Sequence, residues 1–285
     1  MITEFRPGRF QILPTIIKNL LIINVLVFLA QLVFDGTAGS GSMTPSIGNV
    51  ANFFALHNIE SPLFKPWQII THMFMHGSLG HIFGNMFALW MFGSVLENLW
   101  GPRKFLIFYM ICGIGAAAVH LGWLSWEYHS LLNDFAHFKD NPSPLNFKEL
   151  MENKAFGSAD PHRILELTRN WPSDPEEAKA YASAVLDSSS VFIQEMMETP
   201  TLGASGAVFG CLAAFGYLFP NTYIYIYFLV PLKAKWVVLM YMAYELLMVL
   251  QNSAGGIARF AHLGGALVGF LLVYFWNRTN RKSFY

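Results

Sequence analysis

The sequence predicts an all-α polytopic membrane protein: a six-helix transmembrane bundle with a long polar, mostly helical insertion between helices 3 and 4. Three observations carry that reading. The first is composition. Of 285 residues, 54% are hydrophobic and 13% charged, and the mean hydropathy is +0.40. Soluble domains carry about 25% charged residues. The second is segmentation. Six apolar runs lie at 14–34, 79–100, 104–123, 203–219, 234–251 and 258–276, and a span needs about 20 such residues to cross a hydrocarbon core about 30 Å thick. The third is the placement of lysine and arginine. Arg6, Arg9, Lys18, Arg103, Lys104, Lys233, Lys235, Arg278, Arg281 and Lys282 all fall on one side of a six-span bundle, and the short loops opposite hold only Lys65 and Arg259. Basic residues mark the cytoplasmic side, so both termini are expected there.

The first run is too long for a signal-peptide core and has no clear small-residue cleavage site before GTAGSGS. It is read as a span. Glu97 closes the second run beside Arg103, where an interfacial pair is expected. The third run ends at 123. Residues 124–200 then form the insertion, with thirteen Asp and Glu against six Lys and Arg. Long translocated loops largely escape the charge rule, so the span count places it outside. Within it, LNFKELMENKAF and PHRILELTRN have amphipathic helical spacing. Asn-Pro and Ser-Pro steps at 141–144 mark a turn, and SDPE at 173–176 reads as a capping box opening a helix toward Met197. The chain thus divides into 1–123, 124–200 and 201–285. Formal net charge is zero, so no basic field argues for nucleic acid. Cys112 and Cys211 sit in apolar runs and are read as buried thiols rather than a disulfide.

Polar side chains inside the spans are costly and point to function. Ser205 opens the fourth run, in TLGASGAVFG. That run is about 17 residues, or about 26 Å. With its other end at the cytoplasmic face, Ser205 lies roughly 9 Å below the outer surface. An isolated serine there is ordinarily hydrogen-bonding glue between helices. Gly206 and Gly210 form GxxxG, as do Gly265 and Gly269 on the sixth run, and small residues at this spacing let helix backbones approach. His262 lies three residues before Gly265, on nearly the same face. Close packing would therefore bring an imidazole to the hydroxyl.

THMFMHGSLGHIFGN supplies His72, His76, His81 and Asn85, with Ser78 placed to cap a helix. His81 and Asn85 share a face. HMFMH lacks the glutamate of HExxH and has no carboxylate or thiol nearby, so no metal and no cofactor are expected. Water-satisfied interfacial histidines are the bland reading. Hydrogen-bond donation to an oxyanion is the functional one. Glu245 lies about 9 Å inside the outer end of the fifth run. It either orients His262 or lines a water-filled cleft; the cleft is expected, since ionisable groups in spans usually face such cavities.

Together these residues resemble the rhomboid intramembrane serine proteases. The likeness covers about 200 residues, roughly 14–123 and 201–277. It rests on Gly203-Ala204-Ser205-Gly206 opening the fourth span, AHLGGALVG around His262 on the sixth, and His76, His81 and Asn85 spaced HxxxxHxxxN at the second. The resemblance implies a six-span rhomboid-like bundle and a Ser–His dyad without an acid. Ser205 is then the nucleophile and His262 the general base. His81, Asn85 and the backbone N–H of Ser205 form the oxyanion hole, and His76 lies near the site. Phe209 replaces a tyrosine common in the family, and its ring can pack on the imidazole. Gln68 follows Trp67 where many members have arginine, which puts the rigidity of the first outer loop in question.

The implied activity is cleavage of transmembrane substrates near their outer ends, in a bacterial inner membrane by the short N-terminus without a transit pattern. Residues 252–256 would form a mobile cap. The rivals are a catalytically inactive relative that binds membrane helices, and a transporter, which predicts matched halves not seen here. Oligomeric state is not set by the sequence.

Overall fold

The computed structural model describes residues 10–37, 47–151, 161–226, 229–250 and 256–279. Arg6, Arg9, Arg281, Lys282 and most of the expected cap, 252–255, lie outside the described residues. Among the described residues, four helices are long and apolar enough to cross a membrane: Thr15–Phe34, Leu79–Trp100, Pro102–Asp140 and Arg259–Arg278. The chain is thus an integral, multi-pass membrane protein. Two shorter apolar helices occupy the other two expected runs, α10 (Ser205–Leu218) and α11 (Ala234–Leu250). Large apolar side chains such as Ile22, Leu26 and Leu29 on α1 (Thr15–Phe34), and Leu239 and Leu246 on α11, point outward. In lipid these are solvated, so the outer face needs no polar residues.

α10 is the central pillar. Every residue from Gly206 to Gly216 is buried, and the helix packs against α6 (Pro102–Asp140), α11 and α12 (Gly256–Thr279). Its 14 residues rise about 21 Å, less than a hydrocarbon core about 30 Å thick. A helix that short places its first residue at depth when its other end lies at the surface.

The second apolar run folds as α4 (Leu79–Ala88), one π-helical turn at Leu89–Gly93, and α5 (Ser94–Trp100). Ser78 Oγ accepts from the His81 N–H at 3.1 Å and caps α4. The role expected for Glu97 is corrected. Its two carboxylate oxygens accept the N–H groups of Ile16 and Ile17, each at 2.9 Å. The first N–H groups of a helix have no intrahelical partner and gather partial positive charge. Glu97 satisfies two of them on α1 and so ties the second span to the first. Gly101 then turns the chain at φ +80°, a conformation open to glycine, and Pro102 starts α6 at the position where its missing N–H costs nothing.

α6 does not stop at 123. It runs 39 residues without a break to Asp140, about 58 Å at 1.5 Å per residue. The insertion is therefore built on the prolonged third span. Leu131 and Phe138 of α6 form a second core with Phe147 and Leu150 of α7 (Pro144–Met151) and Ala182 and Ile193 of α9 (Pro175–Glu198). α8 (Pro161–Arg169) completes the insertion's helices among the described residues. The cap of α9 is Asp174, not Ser173: Asp174 Oδ1 accepts from the N–H groups of Glu176 at 2.9 Å and Glu177 at 3.1 Å. A further correction concerns the all-α expectation. A small antiparallel hairpin, β1 (Tyr223–Ile226) with β2 (Val230–Lys233), joins α10 to α11.

The first outer loop holds α2 (Asn49–Phe54), α3 (Gln68–Thr71) and a 3₁₀ turn at His72–Phe74. The doubt about its rigidity is answered by Gln68, which is fully buried. Its Nε2 reaches the carbonyls of Asn52 at 3.1 Å, Phe53 at 3.3 Å and Leu63 at 3.0 Å. Its Oε1 accepts from the N–H groups of His57 at 3.3 Å and Lys65 at 3.1 Å. One neutral amide thus gathers five backbone groups of the loop, and the loop is stitched without an arginine.

His72 gives this loop a pH dependence. Burial holds its imidazole down at about 4, against partial support from hydrogen bonds to backbone carbonyls of Gln68 and Ile69. Unfolded, a histidine titrates near 6.5. The folded state binds the proton less readily, so the contribution of neutral His72 is complete above pH 6.5. It is lost as pH falls from there toward 4, roughly 3 kcal/mol in all. Thermal unfolding in micelles is expected to drop between pH 7.5 and 4.5, and His72→Gln to show a smaller drop. An equal drop in both proteins would refute the assignment to His72.

Candidate active site

Ser205 is the first residue of α10, with Ala204 preceding it as the N-cap residue. Its Oγ lies 2.9 Å from Nε2 of His262 on α12. Glycines allow that distance. A Cβ on Gly265 would clash with the carbonyl oxygen of Gly206, and one on Gly269 would lie 2.6 Å from both Cα and O of Gly210. The obstacle in each case is backbone, which cannot rotate aside. α10 and α12 therefore approach at van der Waals distance through these two pairs, and His262 rides on the face so presented. Phe209, one turn after the serine, stacks on the imidazole with ring centroids 4.2 Å apart and planes 8° from parallel. Tyr241 of α11 backs that ring at 5.0 Å.

Loop geometry completes the approach on the other side. Gly203 has φ +131°, and a Cβ there would lie 2.9 Å from His81 Nε2 and 3.6 Å from Ser205 Oγ. The glycine both permits the backbone turn and leaves room for the His81 ring beside the serine. The loop is held in place by the first outer loop. Leu56 and Thr201 exchange backbone hydrogen bonds at 2.8 and 2.7 Å, the Gly203 N–H donates to His72 O at 2.9 Å, and Thr201 Oγ1 pairs with His120 Nε2 at 2.7 Å.

Asn85 lies one turn beyond His81 on α4. It is buried, and its Nδ2 makes no hydrogen bond among the described residues. His76 is fully buried behind His81, with ring centroids 5.2 Å apart, and its backbone N–H donates to Gln31 Oε1 of α1 at 2.9 Å. The first N–H groups of α10 have no intrahelical acceptor and carry the positive end of the helix dipole. The His81 ring and the first N–H groups of α10 thus lie on the same side of Ser205 as Gly203.

The cleft position expected for Glu245 is overturned. The residue is 5% exposed. Its Oε1 lies 3.2 Å from Nδ1 of His262, and its Oε2 lies 3.8 Å from Nε of Arg259. The contact with His262 is the other role left open for Glu245, and the sequence reading named no part for Arg259. A signal was present: Arg259 and His262 are three residues apart and share one face of α12, opposite the acid on α11.

This fold and this serine–histidine pair define a class: a membrane-embedded helical bundle with a part-buried hydroxyl–imidazole pair between two of its helices. Comparison with known proteins supplies the family. The Rhomboid domain family matches residues 63–128 and 178–278, more than half of the chain, and the chain belongs to the rhomboid family. It is similar to a mitochondrial rhomboid protein of Schizosaccharomyces pombe, 29% identical over 80% of this chain and 57% of that one. It is similar to the mitochondrial RHOMBOID-like protein 12 of Arabidopsis thaliana, 22% identical over 76% of this chain and 47% of the relative. It is also similar to the rhomboid protease AarA of Providencia stuartii, 30% identical over 40% of this chain and 38% of that protein. The chain spans about half the length of the two mitochondrial relatives. The family match omits residues 129–177, most of the insertion up to the start of α9.

Proposed function

We propose that this chain is an intramembrane serine endopeptidase that cleaves transmembrane segments of other membrane proteins near their outer ends. The observation that carries the proposal is the 2.9 Å contact between Ser205 Oγ and His262 Nε2 at the start of an enclosed helix. The rhomboid family includes bacterial members named as proteases, which supports the reading.

In this mechanism His262 Nε2 takes the hydroxyl proton as Ser205 Oγ attacks the peptide carbonyl carbon. The oxyanion of the tetrahedral intermediate accepts from Asn85, His81 and the N–H of Ser205, and a single such donor typically contributes about 2.7–4 kcal/mol. The C–N bond then breaks and the leaving amine receives the proton from His262. The acyl-enzyme is hydrolysed by a water that His262 deprotonates, and the returned proton restores the serine. Side chains supply every step, so the mechanism calls for no cofactor.

A transmembrane helix already satisfies its own backbone hydrogen bonds. The scissile segment must unwind before attack, which favours Gly, Ser or Pro near its outer end. The substrate helix reaches the site laterally, between α4–α5 and α11. In a six-span topology the termini are cytoplasmic and the site opens on the opposite side. Two of the three relatives described above carry mitochondrial names, which argues against taking a bacterial inner membrane as the setting.

The test is reaction of the purified protein with a fluorophosphonate probe, together with cleavage of a reporter transmembrane helix. Wild type is expected to label and to cleave, and Ser205→Ala to do neither. A folded wild type that neither labels nor cleaves would sink the proposal and favour a helix-binding, non-catalytic protein.

A further inference from the structure

We infer that Glu245 is a positioning residue for His262, making the serine–histidine pair a three-member Ser–His–Glu array; the inference rests on the endopeptidase reading. The resemblance to the family implied a dyad without an acid, and the geometry departs from that. Glu245 sits on α11, His262 on α12 and Ser205 on α10, so three helices each contribute one member. The contacts run in line: Ser205 Oγ to His262 Nε2 at 2.9 Å, then His262 Nδ1 to Glu245 Oε1 at 3.2 Å.

An imidazole can accept a proton from serine at Nε2 only if its other nitrogen carries the hydrogen. A carboxylate at Nδ1 selects that tautomer, because a carboxylate oxygen accepts and cannot donate. It also fixes the ring about its χ angles and offsets the positive charge that His262 gains when it takes the serine proton. The phenyl ring of Phe209 restrains the same imidazole from its face, but a face contact does not choose between nitrogens. Only the in-plane partner does.

The placement of the acid has no structural alternative of comparable economy. A buried carboxylate inside a membrane helix is costly unless partnered. α11 already packs on α10 and α12 through apolar side chains, and a leucine at 245 would serve that packing without the cost. Arg259 lies 3.8 Å from the second carboxylate oxygen and also donates from Nη1 to Met248 O at 3.2 Å. The guanidinium compensates the acid's charge and ties it to the end of α11. One oxygen of Glu245 thus faces the compensating cation and the other faces the imidazole that does the chemistry.

The experiment is steady-state cleavage of a reporter transmembrane helix by wild type, Glu245→Gln, Glu245→Leu and Glu245→Asp, with thermal unfolding of each. It is joined by ¹⁵N spectra of histidine-labelled protein, in which His262 is assigned by substitution. Glu245→Gln is expected to lower kcat by roughly 10²–10⁴-fold, the range seen when the orienting acid of a triad is neutralised, with KM within about twofold. Glu245→Asp, which keeps the carboxylate, should recover at least about tenfold over Glu245→Gln. The ¹⁵N spectrum should show Nδ1 protonated in wild type and a mixture of tautomers in Glu245→Leu.

A Glu245→Gln variant with kcat within about threefold of wild type overturns the inference. So does a loss shared equally by all three variants and accompanied by equal falls in unfolding temperature, which would mark a packing role. If wild type cleaves nothing, the endopeptidase reading fails by itself. The spectra still decide the positioning role: a tautomer preference lost in Glu245→Leu upholds it, and an unchanged spectrum overturns it.

Discussion

His262→Ala is expected to reduce cleavage by roughly 10⁴-fold or more while leaving the protein folded. The hydroxyl of Ser205 is a weak nucleophile until a base removes its proton, and the nitrogen at 2.9 Å is the group placed to do so. Residues that act as a unit are not additive. The double variant with Ser205→Ala should therefore be no worse than either single one. Stability should fall by more than the ring contact with Phe209, which is of a kind contributing about 0.5–1.5 kcal/mol, because buried Glu245 also loses the partner of its Oε1. Fluorophosphonate labelling, cleavage of a reporter helix and thermal unfolding together check this. A folded His262→Ala protein that keeps more than about a tenth of wild-type turnover would show that another group serves as base.

Gly265→Ala should cost the fold as well as the chemistry. A single methyl there would collide with the Gly206 carbonyl oxygen, and the next nearest atom is the Gly206 carbonyl carbon at 2.6 Å. Overpacking of a well-filled core typically costs about 1–3 kcal/mol, and this site falls at the upper end because the obstacle is main chain. α10 and α12 must move apart to admit it. A misplacement of about 1 Å at a reacting centre can cost 10²-fold in rate, so turnover should fall by about that factor even where the protein remains folded. Gly122→Ala is the control. It is also a helical glycine, on α6, but nothing lies within 4 Å of its would-be Cβ. There the gain in helix propensity, about 0.8–1 kcal/mol, should leave stability equal or higher. If Gly265→Ala unfolds and cleaves like wild type, close packing of these helices is not what sets the serine–histidine distance.

The helices at all six apolar runs were legible because lipid demands a composition that water does not, and that demand is written residue by residue. Ser205 and His262 were legible for a related reason: a hydroxyl and an imidazole beside small residues stand out against apolar neighbours. Ser78 as a cap followed from local spacing. The misreadings share a different cause. Glu97 was paired by proximity in sequence with Arg103, yet it binds the start of α1. Gln68 was read as a loss, yet it holds five backbone groups. In each case the partner is backbone from a distant segment, and backbone donors and acceptors are the same in every sequence.

Glu245 shows the limit most clearly. Its depth along α11 could be counted, since rise per residue is fixed by the helix. Its direction could not. In a soluble helix an apolar stripe tells which face turns inward, but a helix in lipid is apolar inside and out, and the driving force between helices is packing rather than hydrophobicity. The rotation of α11 about its own axis therefore leaves little trace in composition. The sequence by itself determined a multi-pass membrane chain and singled out Ser205 and His262, which the structure brings to 2.9 Å of each other. The tertiary structure decided which way α11 faces, and hence that the acid meets Nδ1 of His262 rather than water, because helix rotation is set by contacts among three separate segments.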